Sequence, residues 1–293
     1  MKTLSHPVGN EQAITDEVLE RIANTADPRV REISQAIVRH LQAFCVEVRP
    51  SLKEWRYGID FLTRVGAMCS PTRQEFVLLS DTLGVSMLVD AINHQAGGET
   101  TETTVLGPFY VENPPVRELG AFIADGLTGK PLLVEGSVCD DSGNPIAGAT
   151  VDVWHSDDDG FYDVQGEHGL DVLTGRARFE TDHDGSFWFR SIVPRHYPIP
   201  DDGPVGDMLK AQGRHPNRPA HIHFMIAAPG CETLVTHLFV AGSPYLDSDV
   251  VFGVKDELIV QLNDQPAGVT ERGNRVDERV QALRYDFILA PAR

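Results

Sequence analysis

The sequence predicts an α+β protein in which a helical N-terminal domain, residues 1–100, precedes an antiparallel β-sandwich, residues 101–293. In the first part of the chain, apolar residues recur every three or four positions, as they do on one face of a helix. After Gly98, short β-branched runs alternate with turn residues, as they do in sheets. A chain of 293 residues, 41% of them hydrophobic, is long enough for two domains with buried cores.

The most periodic segment is predicted to form one long amphipathic helix beginning at residue 28. Its apolar residues have the spacing of a single helix face: Val30, Ile33, Ile37, Leu41 and Phe44. Asp27 precedes the first apolar residue and is a favoured N-cap. Pro28 suits the first helical turn, where no backbone donor is needed.

Two further helices are predicted from their start signals. Ser51 and Glu54 have the spacing of a capping box, in which each side chain accepts from the other's backbone N–H. Ser70–Pro71 is predicted to open a helix that contains Phe76, Leu79 and Leu83 and continues to Ile92. Gly97–Gly98 is predicted to end it.

The second half of the chain is typical of a β-sandwich. Prolines in GPFYVENPP exclude a helix there. Apolar and alternating runs then follow at short intervals: LLVEGSV, IAGATVDVW, ARFET, SFWFRSIV, AHIHFMIAA, LVTHLFV and ALRYDFILA. Aspartate clusters at 157–159, 182–184 and 201–202 fall between the runs; without an EF-hand pattern, they indicate solvated turns rather than calcium sites.

Charge and cysteine content predict the environment of the protein. The formal net charge is -18, so nucleic acid and anionic membrane surfaces would repel the chain, and neither a nucleic-acid partner nor membrane insertion is expected. The four cysteines, Cys45, Cys69, Cys139 and Cys231, form no Cys-x-x-Cys pair, which indicates a reducing compartment. The first residues lack the apolar core of a signal peptide. A cytoplasmic location is therefore expected.

The stretch RPAHIHF, residues 218–224, places two histidines one residue apart in an apolar run. Successive side chains of a strand alternate between faces, so His221 and His223 point the same way and could bind one metal ion. A zinc site would add a third ligand, such as His237. The next acid, Glu232, lies nine residues beyond His223, which argues against a two-histidine, one-carboxylate iron site.

Tyrosines are the remaining candidate ligands. Of the six in the chain, two occupy loop contexts that look exposed. Tyr162 ends the loop SDDDGFY, directly after the predicted strand VDVW, and Tyr197 lies between prolines in VPRHYPIP. Tyr285, by contrast, occupies an alternating position in LRYDF that is more typical of a core tyrosine.

Three motifs together give the chain a specific resemblance. The first motif, within residues 134–162, contains Gly136, Gly143, Ile146, Val151, Asp152, Val153, Gly160 and Tyr162. VPRHYPIP and RPAHIHF follow in the same order and at similar spacing. This arrangement resembles the signature of the intradiol ring-cleavage dioxygenases, and the resemblance extends over essentially the whole chain.

The resemblance implies a ferric iron, one per subunit, bound by Tyr162, Tyr197, His221 and His223. In the family's arrangement, Tyr197 and His223 are axial, and Tyr162 and His221 are equatorial beside a bound hydroxide. Phenolate is a hard anionic donor that suits ferric iron, and the metal favours its ionisation. The chemistry of these residue types therefore agrees with what the resemblance implies.

The resemblance also implies a reaction. A catechol-type diol binds the iron through both oxygens, and dioxygen cleaves the ring between the two hydroxylated carbons during aromatic compound catabolism. Both oxygen atoms enter a muconate-type dicarboxylate. Tyr197 leaves the metal and accepts a substrate proton as a general base. Arg218, three residues before His221, stabilises charge that develops on the substrate.

Three positions resemble the branch of the family that cleaves hydroxyquinol, 1,2,4-trihydroxybenzene. They are His237, where catechol-cleaving members have glutamine, Asp81 in LLSDTLG, and Phe109 in GPFY. The expected product is 3-hydroxy-cis,cis-muconate, the enol of maleylacetate; catechol and chlorocatechol are the alternative substrates. The resemblance gives a substrate-binding set of Leu78, Asp81, Val105, Gly107, Pro108, Phe109, Ile199, Pro200, Arg218, His237 and Val251.

The resemblance makes residues 1–100 a dimerisation domain and residues 101–293 the catalytic domain. A homodimer through the N-terminal helices is expected, with a phospholipid in the seam as a further expectation. Two other interpretations stay open from the residues themselves. One is a zinc hydrolase using His221, His223 and His237; the other is a non-catalytic, transthyretin-like carrier of small aromatic molecules.

Overall fold

A computed structural model describes residues 11–70, 73–94, 100–165 and 173–292. The chain divides into two compact units, Met1–Arg64 and Val65–Arg293. The predicted fold class is confirmed, because helices precede a pair of sheets rich in antiparallel pairing. The predicted domain boundary at residue 100 lies later in the chain than the division between these two units and stays a prediction.

The helices and strands account for the predicted runs. The helices are α1 (Glu11–Ile22), α2 (Pro28–Val48), α3 (Leu52–Ala67), α4 (Glu75–Thr82), α5 (Val85–Asn93) and α6 (Pro204–Ala211). The strands are β1 (Pro131–Asp140), β2 (Thr150–His155), β3 (Arg176–Glu180), β4 (Ser186–Ile192), β5 (Tyr197–Pro198), β6 (Asn217–Arg218), β7 (His221–Ala227), β8 (Leu234–Val240), β9 (Ile259–Val260), β10 (Asn263–Gln265), β11 (Gly268–Val269), β12 (Arg275–Val276) and β13 (Val280–Leu289). Short 3₁₀ turns lie at Asp163–Gln165 and Asp256–Leu258.

Two predicted helix starts are confirmed. The Asp27 carboxylate accepts hydrogen bonds from the backbone N–H groups of Arg29 at 2.8 Å and Val30 at 3.0 Å, so α2 begins at Pro28. At α3 the capping box is complete: the Ser51 N–H donates to Glu54 Oε2 at 2.7 Å, and the Glu54 N–H donates to Ser51 Oγ at 3.3 Å. Both caps satisfy backbone donors that helix ends leave without intrahelical partners.

The helix start predicted at Ser70–Pro71 is wrong. Ser70 and Arg73 exchange backbone hydrogen bonds at 2.7 and 3.3 Å across an isolated β-bridge, so the helix starts only at Glu75. Gly84, with a left-handed φ of 73°, then separates α4 from α5 within the predicted single helix. The predicted stop at Gly97–Gly98 lies outside the described residues, and α5 ends at Asn93.

Two sheets form the β-sandwich. One has four strands in the order β10-β13-β1-β4, and the other has five in the order β3-β2-β7-β8-β9. Pairing within them is antiparallel except between β1 and β13 and between β8 and β9. Two short ribbons, β5-β6 and β11-β12, lie outside these sheets.

Strand β7 shows how the core determines the opposite face of its sheet. Ile222, Phe224 and Ile226 are fully buried in the core cluster shared with apolar residues of β1 and β4. Because strand side chains alternate, His221 and His223 point to the other face. The two histidines are thus placed outside the main core by the same pattern that fills it.

In the first unit, α1 and α2 contact each other but contain no buried residue. The predicted apolar stripe of α2 (Val30, Ile33, Ile37, Leu41 and Phe44) is 44–59% exposed. None of the described helices is both long enough and apolar enough to cross a membrane.

Replacing Phe187 by alanine should lower the free energy of unfolding by about 3–5 kcal/mol, because removal of this large core side chain would leave a cavity. Phe187 is 1% exposed and lies opposite Gly136 on β1, where an added Cβ would come 2.5 Å from its ring. Val116 is 77% exposed. Val116→Ala should therefore change stability by less than about 0.5 kcal/mol. Urea unfolding of both variants measures this; equal losses would contradict the assigned core.

Candidate active site

A row of aromatic side chains crosses the outer face of the five-stranded sheet. Trp154 on β2 pairs with His223 on β7, which in turn pairs with His237 on β8. The Trp154 and His223 rings are stacked, with centroids 4.6 Å apart and planes at 14°. His237 meets His223 nearly at right angles, at 4.1 Å. All three are at most 1% exposed, so packing on both sides fixes the plane of His223.

Tyr162 and Tyr197 cover this row from two loops. Each is only 2% exposed, although both loops look exposed in the sequence. The Tyr162 hydroxyl lies 3.1 Å from His223 Nε2 and 3.5 Å from the Tyr197 hydroxyl. Tyr197 lies on β5, where it pairs with Arg218 on β6 in the short two-stranded ribbon. The structure therefore brings together the two predicted tyrosines and the histidine pair.

The tautomer of His221 follows from its hydrogen bond. His221 Nδ1 lies 2.7 Å from the Pro219 carbonyl oxygen, an acceptor only, so Nδ1 carries the proton and Nε2 keeps its lone pair. That Nε2 lies 3.1 Å from His223 Nε2. Ligands that share one ion at about 2.0–2.2 Å lie about 3.0–3.5 Å from one another when adjacent. The observed separations thus match those of donors around a single metal ion.

Burial makes this donor set depend on a cation. Desolvation lowers the pKa of His221 and His223 well below the usual histidine value, so both imidazoles are neutral at pH 7. Desolvation also raises the pKa of Tyr162 and Tyr197 and outweighs the opposing charge of Arg218, so the phenols stay protonated in the absence of a metal ion. His223 Nδ1 is buried without a hydrogen-bond partner among the described residues. Neutral imidazoles and ionisable phenols fit a hard, highly charged metal ion.

Arg218 brings a buried positive charge to the edge of this cluster. Its Nη1 lies 3.4 Å from His221 Nε2, and its Nη2 lies 3.5 Å from His237 Nδ1. Asp249 neutralises it, accepting from Arg218 Nε at 3.1 Å and Nη2 at 3.2 Å. The backbone N–H of Gly253 also donates to Asp249, at 3.0 Å. Arg218 therefore lies beside His221 and His237, and its role toward a substrate stays a prediction.

Asp249 is a site residue that the sequence analysis missed. It lies 31 residues from Arg218 in a loop containing a second aspartate, Asp247, which is exposed. Only burial distinguishes the two, because the Asp249 carboxylate is 2% exposed. An arginine beside a metal-binding motif implies some buried carboxylate partner, but not which one.

Several predicted substrate-binding residues lie next to the cluster. Gly107 adopts a left-handed φ of 76°, and an added Cβ would come 3.1 Å from His223 Cε1. Phe109 stacks on Tyr162 with ring centroids 4.4 Å apart. Asp81 on α4 is 6% exposed; burial raises its pKa, while the charge of Arg218 lowers it.

The other predicted pocket residues lie in the same segments. Leu78 is buried three residues before Asp81 on α4, and Val251 follows Asp249 in its loop. Val105 is half-buried and Pro108 is exposed, on either side of Gly107. Ile199 and Pro200 follow the β5 strand, buried and half-buried respectively. Contact of these residues with a substrate stays a prediction.

A three-histidine site is also geometrically available. Ligand atoms of His221, His223 and His237 lie within 4.8 Å of one another. If these three histidines alone bound a cation, the two buried phenols of Tyr162 and Tyr197 would have no role in the site. The Tyr162 hydroxyl nevertheless lies 3.1 Å from His223 Nε2. The geometry therefore favours the set that includes the tyrosines.

Comparison with known proteins identifies the family of the chain. A family model described as "Dioxygenase" matches residues 105–291, and one described as "Catechol dioxygenase N terminus" matches residues 27–101. A hydroxyquinol 1,2-dioxygenase of Nocardioides simplex is 50% identical over 96% of this chain and 96% of its own. The chain belongs to the intradiol dioxygenase family. The resemblance predicted from the three motifs is confirmed.

Two further relatives show the range of the similarity. The crystal structure of a hydroxyquinol 1,2-dioxygenase from Pseudomonas putida DLL-E4 matches with a TM-score of 0.91 and 47% identity, covering 96% of this chain and 99% of that one. A catechol 1,2-dioxygenase of Candida albicans is 38% identical over 95% of this chain and 92% of its own. Membership of this family implies a non-haem iron enzyme that uses dioxygen and an aromatic substrate.

Asp249→Ala should lower the free energy of unfolding by about 3–5 kcal/mol, because it leaves the Arg218 charge buried and uncompensated. Asp247, two residues earlier in the same loop, is exposed. Asp247→Ala should therefore change stability by less than about 0.5 kcal/mol. Denaturant unfolding of the two variants measures the difference. Similar values for both would show that the buried pair does not stabilise the fold.

Proposed function

We propose that this protein catalyses intradiol cleavage of hydroxyquinol by dioxygen to 3-hydroxy-cis,cis-muconate, the enol of maleylacetate. The observation that supports this substrate is the level of similarity. The two hydroxyquinol 1,2-dioxygenases described above are 50% and 47% identical over 96% of the chain, and the catechol 1,2-dioxygenase of Candida albicans is 38% identical over 95%. The reaction belongs to the catabolism of aromatic compounds.

One ferric iron per subunit is held by Tyr162, Tyr197, His221 and His223. When bound, iron(III) acts as a Lewis acid that favours the doubly deprotonated diol and its reaction with dioxygen. Supporting this ligand set are the 3.1 Å separations of His223 Nε2 from both Tyr162 and His221. The positive charge of the iron would also lower the pKa of both tyrosines, against the effect of desolvation, which raises it.

Tyr197 and Arg218 are the catalytic side chains. With iron bound, Tyr197 would be ionised, and its phenolate oxygen would accept a proton from a substrate hydroxyl, as a general base. Arg218 faces Tyr197 across the β5-β6 ribbon, and its charge lowers the Tyr197 pKa against the larger effect of burial. The same guanidinium, held by Asp249, stabilises negative charge that develops on the ring carbons and oxygens. A preorganised charge of this kind is typically worth a few kcal/mol.

Asp81 gives the site its preference for a third hydroxyl. Its buried carboxyl accepts a hydrogen bond from the hydroxyl that hydroxyquinol has and catechol lacks. The carboxylate also makes a hydrogen bond with the Ser86 side chain. With catechol bound, the additional hydrogen bond to the third hydroxyl would be lost, which costs affinity. His237 and Arg218 form the wall of the substrate pocket next to the proposed iron. The remaining walls are Leu78, Val105, Gly107, Pro108, Phe109, Ile199, Pro200 and Val251.

The N-terminal helices, within residues 1–100, form a homodimer interface, and residues 101–293 form the catalytic domain. The exposed apolar stripe of α2 supports this assignment, because such stripes on a monomer mark interaction sites. A phospholipid in the seam and a cytoplasmic location complete the proposal.

The purified enzyme should be burgundy red, because phenolate-to-iron charge transfer absorbs visible light. Tyr162→Phe and Tyr197→Phe remove one phenolate each and should shift or bleach the band. Tyr57→Phe, at a residue 65% exposed in the first unit, should leave it unchanged. Visible absorption and elemental analysis test this together. A colourless, fully active enzyme without stoichiometric iron would overturn the proposal.

Asp81→Ala should lower the ratio of kcat/KM for hydroxyquinol to that for catechol by about 10- to 100-fold, the cost of one buried hydrogen bond. Asp81→Asn keeps a carbonyl acceptor of the same shape and should retain most of the preference. Steady-state kinetics with both substrates provide the ratios. Equal wild-type rates, or a ratio that Asp81→Ala leaves unchanged, would contradict the role of Asp81.

A further inference from the structure

Arg176 extends the aromatic row of the active site on its far side. It lies on β3 directly opposite Trp154, which pairs with His223. Its side chain is 2% exposed. Arg176 belongs to none of the motifs that predict the metal ligands and has no part in the proposed chemistry. A buried arginine two strands from a ligand histidine therefore needs a reason.

The Arg176 guanidinium joins three separate segments. Its Nε donates to Asp163 Oδ2 at 2.7 Å, and its Nη2 makes a second, short hydrogen bond to Asp163 Oδ1. Its Nη1 donates to the Phe109 carbonyl oxygen at 2.9 Å. Arg176 thus links β3, the loop that follows β2, and the GPFY segment. Asp163 also accepts from the Thr174 N–H at 3.1 Å, which fixes its carboxylate further.

Both segments held by Arg176 contact Tyr162. Asp163 is the next residue in the chain and fixes the backbone from which the Tyr162 side chain projects. Phe109 stacks on the Tyr162 ring, with centroids 4.4 Å apart. The position of the phenol oxygen, 3.1 Å from His223 Nε2, therefore depends on two supports that share one guanidinium.

Stability alone does not account for this ion pair. Burying two charges costs desolvation energy, and well-packed apolar residues of similar volume are often equally stable or more so. What an apolar pair cannot supply is a planar fork that binds a carboxylate with two donors and a carbonyl with a third.

We propose that Arg176 is a positioning residue for Tyr162, holding its phenol oxygen at the metal site. This inference rests on the proposed iron site. It assigns a function to the guanidinium geometry, not only to its charge, because a lysine ammonium cannot bind both oxygens of Asp163 and the Phe109 carbonyl in one plane.

Arg178 provides a matched control. It lies two residues along β3, on the same face, and pairs with another buried aspartate, Asp152, at 2.6 and 2.7 Å. Its partner is on β2 rather than in the Tyr162 loop. Asp152 also accepts from the hydroxyl of Tyr110, next to Phe109, at 3.1 Å. Arg178→Lys removes the same kind of fork but leaves the hydrogen bonds of Arg176 to Asp163 and to the Phe109 carbonyl in place.

The test compares iron retention by the wild type, Arg176→Lys and Arg178→Lys in a nitrilotriacetate competition series, with visible absorption recorded throughout. Arg176→Lys should hold iron about 10- to 100-fold more weakly, as when residues that orient metal ligands are changed. Its charge-transfer band should also shift or weaken. Arg178→Lys should retain iron and show the same band as the wild type. Equal behaviour of the two variants would overturn the proposal.

Thermal unfolding monitors the fold of each variant. If Arg176→Lys does not fold, Asp163→Asn tests the same support, since it keeps the side-chain shape but weakens the fork; it should reproduce the altered band. An unaltered band in folded Asp163→Asn would then overturn the proposal. A wild type that binds no iron would instead refute the proposed iron site, and the positioning role with it.

Discussion

Strand β7 separates two environments that the active site requires to be adjacent. Ile222, Phe224 and Ile226 fill the space between the sheets, so their neighbours His221 and His223 have to face the other way. A shift of one residue in the pairing of β7 would exchange the two sets of side chains. The large cost of placing imidazoles in the apolar core, in exchange for three apolar side chains, therefore also fixes the register of the histidine pair. Everything else in the site is arranged around these two side chains.

The second requirement is the balance of charge in a buried site. Burial lowers the pKa of the histidines and raises that of the tyrosines, so the bare donor set is neutral. Buried cations near it are each paired with a carboxylate: Arg218 with Asp249, and Arg176 with Asp163. A metal ion would then be the one positive charge that the phenols can compensate. This explains how two tyrosines from loops can act as ligands in a protein rich in exposed acidic residues.

Local signals and long-range ones were predicted with different success. The Asp27 cap, the Ser51–Glu54 box and the alternating runs of the sheets are local, and the sequence predicted them. The helix start at Ser70–Pro71 failed because the bridge between Ser70 and Arg73 competes with helix formation. The motif resemblance identified the family from residues that the fold brings together.

Features that depend on contacts between residues distant in the chain could not be predicted from the sequence. The burial of Tyr162 and Tyr197 results from loops folding over a sheet face, whereas each loop taken alone looks solvated. Asp249 and Asp163 are each one among many turn aspartates, and only their contacts with Arg218 and Arg176 distinguish them. The parallel pairing of β1 with β13 joins the first and last strands of the sandwich in sequence. The alternation of apolar and polar residues does not specify which strands pair.

Gly107 has a consequence for anyone who wishes to broaden the range of aromatic compounds that this scaffold accepts. A β-carbon there would press on the imidazole of His223, and the left-handed backbone would strain any other residue. Directed evolution that randomises the GPFY segment should therefore leave position 107 fixed.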